Sequence, residues 1–192
     1  MGTFTVLRDI GETLKAILKQ NISELSNESS IIFESPADIK PASETRLSIF
    51  LYQIAENSSL KNMEPEPVGL DQMQCPPLVV DLFYLFTPYA QIRETEFIIL
   101  ERVMQIFHDN PVLRNPILQG NLERSGNSEI RVLMNTLSST ELGELWQRFM
   151  NAAFKLSVSY MLTPVKIPSE KKKDITRVIE KDISFYLMEK RK

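Results

Sequence analysis

The run PPLVVDLFYLFTPYA, residues 76–90, constrains the fold of this chain more than any other stretch. It is strongly apolar, carries one charge at Asp81, opens on two prolines and holds a third at Pro88. A membrane-spanning helix needs about 20 consecutive apolar residues and is broken by interior proline, so this run does not read as a span. Its β-branched and aromatic residues Val79, Val80, Phe83, Tyr84 and Phe86 favour a strand. Apolar side chains at both alternating positions predict a strand covered on both faces, placed inside a soluble domain. A carboxylate at Asp81 is then the anomaly, and its expected role is structural, near a strand end and hydrogen bonded or solvated.

The remainder of the chain supplies enough material for one such core. With 192 residues, 43% hydrophobic and 24% charged, a single domain is expected. A net charge of -3 gives no general electrostatic reason to bind nucleic acid or an anionic membrane. The basic cluster Lys171, Lys172 and Lys173 is followed by acidic residues and is too short to change this. One cysteine, Cys75, allows no intrachain disulfide and asks for no oxidising compartment. The opening MGTFTVLRDIGETLK has no basic region followed by a long apolar core, so it is not read as a signal peptide, and Val6 departs from the myristoylation pattern. A cytoplasmic origin is expected, unless the chain leaves within a larger particle.

Along the chain, Leu7, Ile10, Leu14, Ile17 and Leu18 recur at helical spacing and predict an opening amphipathic helix. Residues 29–36 read as a short strand closed by proline. Residues 45–54 place Leu47, Ile49 and Leu51 on one face and Phe50, Tyr52 and Ile54 on the other, a second central strand. Residues 55–77 hold four prolines and too little apolar patterning for a regular element, which predicts an ordered arm or a mobile loop. A helix is expected over about residues 91–109, halted by Asn110 and Pro111. Residues 114–129 read as loop and 130–137 as a strand. A short helix follows with Ser139 as its cap, then a strand at 155–165 with one buried face. The terminal segment puts Ile175, Val178, Ile179, Ile183 and Tyr186 on one stripe of a C-terminal amphipathic helix. The predicted class is α+β, a mostly antiparallel sheet flanked by helices, with a single domain over 1–167 and a helical tail over 168–192.

The search for chemistry returns little. One histidine, His108, and one cysteine cannot build a zinc site of the usual type within a chain, and neither GxxxxGK[ST] nor GxGxxG is present. His108 beside Asp109 is expected to favour a helix C-terminus rather than to work with Asp81. Cys75, before two prolines, reads as structural rather than nucleophilic. No cofactor is called for, and an enzyme is not expected.

The order of phrases carries more information. LYQIAENSSLKN at 51–62, PPLVVDLFYLFTPYA at 76–90, ETEFIILERVMQIFHDNPVL at 94–113, ELGELWQRF and KLSVSYMLTPVKI at 155–167 follow in succession. This succession resembles the tail-terminator or cap proteins of contractile injection systems, the phage-tail-like particles typified by Photorhabdus virulence cassettes and the antifeeding prophage. The resemblance runs over roughly residues 3–167, and no single phrase is diagnostic.

The resemblance implies a structural job without chemistry. A six-fold ring, a homo-hexamer, is expected at the particle end distant from the baseplate, where it stops inner-tube growth and ties the last sheath layer to the tube. Assembly in the cytoplasm is implied, in a particle that is afterwards released or anchored at the envelope. An adaptor between cap and sheath, or between particle and envelope, is the alternative. Partner-interface candidates are the stripe Ile175, Val178, Ile179, Ile183 and Tyr186 and two methionines expected to be exposed on the proline-rich loop, Met63 and Met73. Asn57 and Asn62 are expected to form turns.

Overall fold

The computed structural model describes residues 5–39, 44–61, 63–68, 72–150 and 152–174. In chain order the elements are α1 (Val6–Asn21), β1 (Ile31–Ile32), β2 (Arg46–Glu56), β3 (Glu66–Pro67), β4 (Gln72–Gln74), β5 (Leu78–Tyr89), α2 (Arg93–Asp109), β6 (Val112–Arg114), β7 (Glu129–Met134), α3 (Ser139–Gln147), β8 (Val158–Ile167) and β9 (Lys172–Asp174). The fold is α+β, as the periodicity predicts. A six-stranded sheet in the order β1-β2-β5-β8-β7-β6 is antiparallel except for β1, which runs parallel to β2.

The apolar run becomes β5, at the centre of this sheet. Its even-numbered residues Val80, Leu82, Tyr84 and Phe86 point into the main core with α1 and α2, where Ile10, Leu14 and Leu18 meet Ile99, Val103 and Phe107. Phe86, Phe107 and Tyr160 form a triangle of edge-to-face rings with centroids 4.9–5.7 Å apart, a geometry favoured by the ring quadrupole. Burial pushes the Tyr84 and Tyr160 hydroxyls up from their ordinary pKa. On the opposite face Leu85 packs with Trp146 and Phe149 beneath α3, alongside Phe50 and Tyr52. One strand thus feeds two cores, which is why its apolar residues do not alternate with polar ones.

Several boundaries differ from those expected. β1 holds only two residues, because 28–30 form a 3-10 turn before it. β6, a strand that the sequence reading did not assign, follows α2 directly and pairs Leu113 with Ile130. The α3 cap is Ser138, not Ser139: its Oγ accepts from the Glu141 amide at 3.3 Å while the Glu141 carboxylate accepts from the Ser138 amide at 2.8 Å, a capping box. β8 is covered on both faces, with Ser159 as buried as Tyr160, and Pro164 lies inside it.

Residues 55–77 contain β3 and β4, and residues 172–174 form strand β9 where the sequence predicts the start of the terminal helix. These three strands make a second sheet in the order β3-β4-β9. Its register shows what it is. β5 and β8 pair out to Leu78 and Ile167; after Cys75, Pro76 and Pro77 on one side and four residues on the other, β4 and β9 resume with Gln74 opposite Lys172. Cys75 N–H donates to the Lys171 carbonyl at 2.9 Å across the gap. The small sheet is therefore the outward continuation of β2, β5 and β8 as an arm. The prolines fall at the junction, where a ladder amide is dispensable.

A loop at 115–127 is pinned to the core from two sides. Asp9, 3% exposed on α1, accepts from the Thr5 hydroxyl at 2.8 Å and the Asn121 amide at 3.0 Å. Thr13 takes the Gln119 amide at 3.0 Å, and the buried Asn127 exchanges hydrogen bonds with both main-chain groups of Lys166.

Candidate assembly interface

Asp81 sits at the register shift between β5 and β8, facing Ala55 on β2. Its Oδ1 accepts from Asn57 Nδ2 at 2.8 Å and from the Thr163 hydroxyl. Asn57 Oδ1 meanwhile takes the Ser59 and Leu60 amides, each at 3.1 Å, closing the turn expected of it. The cluster ties β5 and β8 to the turn that follows β2 and gives the one charge in the run hydrogen-bond partners. Asn62 lies outside the described residues.

His108 is exposed in the last turn of α2, where it faces the negative end of the helix dipole. Cys75 is half-buried at the base of the arm, a free thiol. Neither lies among the hydrogen-bond partners of Asp81. Among the described residues no group of three or more His, Cys, Asp or Glu is placed to hold a metal ion, and no helix is long and apolar enough to cross a membrane.

The interface candidates divide. Met73 lies on β4 opposite Pro67 and Lys173, and Met63 lines a cleft of about 280 Å³ under the arm with Pro76, Gly126 and Lys166. Both are half-buried rather than exposed, because the arm forms its own sheet and covers part of them. Ile175, Val178, Ile179, Ile183 and Tyr186 lie outside the described residues.

Exposed apolar side chains that sequence spacing did not single out follow β5 and α3 in the chain. There Ile92, Met150, Phe154 and Leu156 are 60%, 78%, 59% and 54% exposed. Lys155, between Phe154 and Leu156, pairs with Glu96 and lies 5.0 Å over the Tyr89 ring; Phe154 leans on Trp146 at 5.4 Å. Burial and the Glu96 charge push the Tyr89 hydroxyl up to about 12. Lys155 is thereby tied both to α2 and to the end of β5.

A family model described as the Pvc16 N-terminal domain matches residues 9–181. No curated protein matches the chain. Among solved structures, the fold superposes on the PVC sheath/tube terminator of an extracellular contractile injection system in its extended state, seen by cryo-electron microscopy. The TM-score is 0.72 and the identity 19%, over 98% of this chain and 65% of that one. The cap of the anti-feeding prophage, described as its tube terminating cap, superposes with a TM-score of 0.70 at 19% identity, over 95% of this chain and 62% of that one. The chain spans a little under two thirds of the length of each of these proteins, and at this identity what they share with it is the fold. On the match over residues 9–181, this chain belongs to the Pvc16 N-terminal domain family.

Proposed function

We propose that the chain is a structural, non-enzymatic cap of a contractile injection system, a tail terminator that ends growth of the inner tube and links it to the last sheath layer. The observation that carries this reading is the superposition of nearly the whole chain on two proteins described as tube terminators. The exposed apolar patch around Ile92, Met150, Phe154 and Leu156 gives the reading a physical surface. Several copies closed into a six-fold ring would present this patch as a repeated contact, and a ring stops polymerisation when one face matches the tube end and the other offers the next tube layer no equivalent surface. Transmitting sheath movement needs an extensive contact, so the body and the arm are both expected to take part. Assembly takes place in the cytoplasm before the particle is released or anchored.

The test is co-expression with the tube protein of the same system, with tube lengths measured by electron microscopy. Hexameric rings seated on tube ends and a narrow length distribution are expected. Phe154→Asp with Met150→Asp should leave the fold intact and broaden the lengths. Tubes whose ends and lengths ignore the protein overturn the reading. A complex with sheath protein alone would instead favour the adaptor role.

A further inference from the structure

The arm meets the body at a joint where the ladder of the main sheet is interrupted. Each strand continuation passes through proline at this level: Pro65 before β3, Pro76 and Pro77 between β4 and β5, and Pro168 between β8 and β9. Proline offers no amide to a ladder. β5 and β8 stop pairing at Leu78 and Ile167, and the ladder resumes in the arm at Gln74 and Lys172. Between them, the Cys75 amide donates to the Lys171 carbonyl at 2.9 Å and Gln74 Nε2 to the Ser169 carbonyl at 2.8 Å. A few residues at the ends of elements, lightly bonded to one another, are what a hinge is made from.

The two walls beside this joint carry opposite charge. Glu66 stands opposite Gln74, and Glu66, Val68 and Gln74 line the cleft of about 280 Å³, whereas Pro67 and Met73, which alternate with them, do not. One face of the arm therefore looks onto the body. Exposed Glu64 lines the same cleft. The body supplies Arg124, from the 115–127 loop, and Lys166, from β8, whose main chain is fixed by Asn127. Among the described residues neither these two acids nor these two bases have an ion-pair partner. Opposite charges facing one another across open space attract until salt screens them.

We propose that the arm is a strap that closes on the body about this joint, bringing Glu64 and Glu66 to pair with Arg124 and Lys166, and that ionic strength sets its position. The arrangement described above is the open one. Exposed ion pairs are individually weak, so two of them bias the arm toward closure by about 2- to 30-fold. The bias fades as the screening length falls from about 30 Å at 0.01 M salt to about 3 Å at 1 M. A partner that covers either wall then also sets the direction of the arm.

A distance measurement between two spin labels tests this. In a Cys75→Ser background, Lys173→Cys on the arm and Ser128→Cys on the body, both at exposed positions, carry the labels. Labelled chains are diluted with unlabelled ones so that only distances within a chain are read. Two distances are expected, the shorter losing population relative to the longer by about 2- to 30-fold between about 0.01 M and about 1 M salt. Glu64→Lys with Glu66→Lys should remove the shorter distance at both salt concentrations, and adding Arg124→Glu with Lys166→Glu should restore it, which an arm merely loosened by substitution would not do. A single distance independent of salt overturns the hinge. A salt-dependent distance blind to the reversal and its restoration overturns the assignment to these four residues. The measurement needs neither tube nor sheath protein, so its outcome is separate from that of the cap reading.

Discussion

Gly120→Ala is the sharpest test of how the 115–127 loop is held. Gly120 has φ +66°, and a Cβ built on it would lie 2.4 Å from Asp9 Cγ and 2.6 and 2.7 Å from its carboxylate oxygens. The left-handed backbone alone costs an alanine about 1–2 kcal/mol. The contact adds more, because Asp9 is 3% exposed and held by Thr5 and Asn121, so it has no free space to enter. Moving it leaves a buried amide unpaired, worth about 1–3 kcal/mol. The sum is roughly 2–5 kcal/mol, a large part of the 5–15 kcal/mol typical of a folded domain. Equilibrium urea unfolding of Gly120→Ala, Asp9→Ala and the double variant separates the two contributions. With the carboxylate gone, the alanine should cost only the backbone part, about 1–2 kcal/mol. An equal cost in both backgrounds would refute the contact. A Gly120→Ala protein within about 0.5 kcal/mol of the parent would refute the account altogether.

Other consequences are as direct. Burial raises the Asp9 carboxyl, but the Asn121 amide, the Thr5 hydroxyl and Arg8 together hold it below its ordinary value; its contribution should be complete above about pH 4, the range of the unfolded carboxylate, and lost as pH falls through the folded value. Asp9→Asn should therefore flatten the acid side of a plot of urea midpoint against pH. Phe107→Ala removes the apex of the ring triangle with Phe86 and Tyr160 and should cost about 3–5 kcal/mol by the same unfolding assay. Ser138→Ala removes the acceptor that starts α3 and should cost about 1 kcal/mol, with Trp146 fluorescence reporting the loosened helix.

What the sequence made legible is what repeats at the period of an element. β5 and β2 announced themselves because Leu82, Tyr84 and Phe86 on one side and Phe83 and Leu85 on the other are all apolar, and α1 because Ile10, Leu14 and Leu18 return every four residues. The arm was invisible for the converse reason. Gln72, Met73, Gln74 and Lys172, Lys173, Asp174 face solvent enough to need no pattern, and only their pairing across a gap in the chain shows them to be strands. Asp9 gives no signal in the sequence, since its partner, the Asn121 amide, is 112 positions away. The exposed Ile92, Met150, Phe154 and Leu156 were hidden because they fall between elements, after β5 and after α3, where no period marks them. The terminal stripe from Ile175 to Tyr186 lies outside the described residues.

The arm also has a mechanical meaning. Because β3, β4 and β9 prolong β2, β5 and β8, a pull on the arm runs lengthwise down the three middle strands of the body. Antiparallel ladder bonds lie across that direction, so they are loaded in shear and share the tension, where a peeling force would break them one at a time. Tension along the strands is therefore the load that this sheet, extended by its arm, is built to resist best.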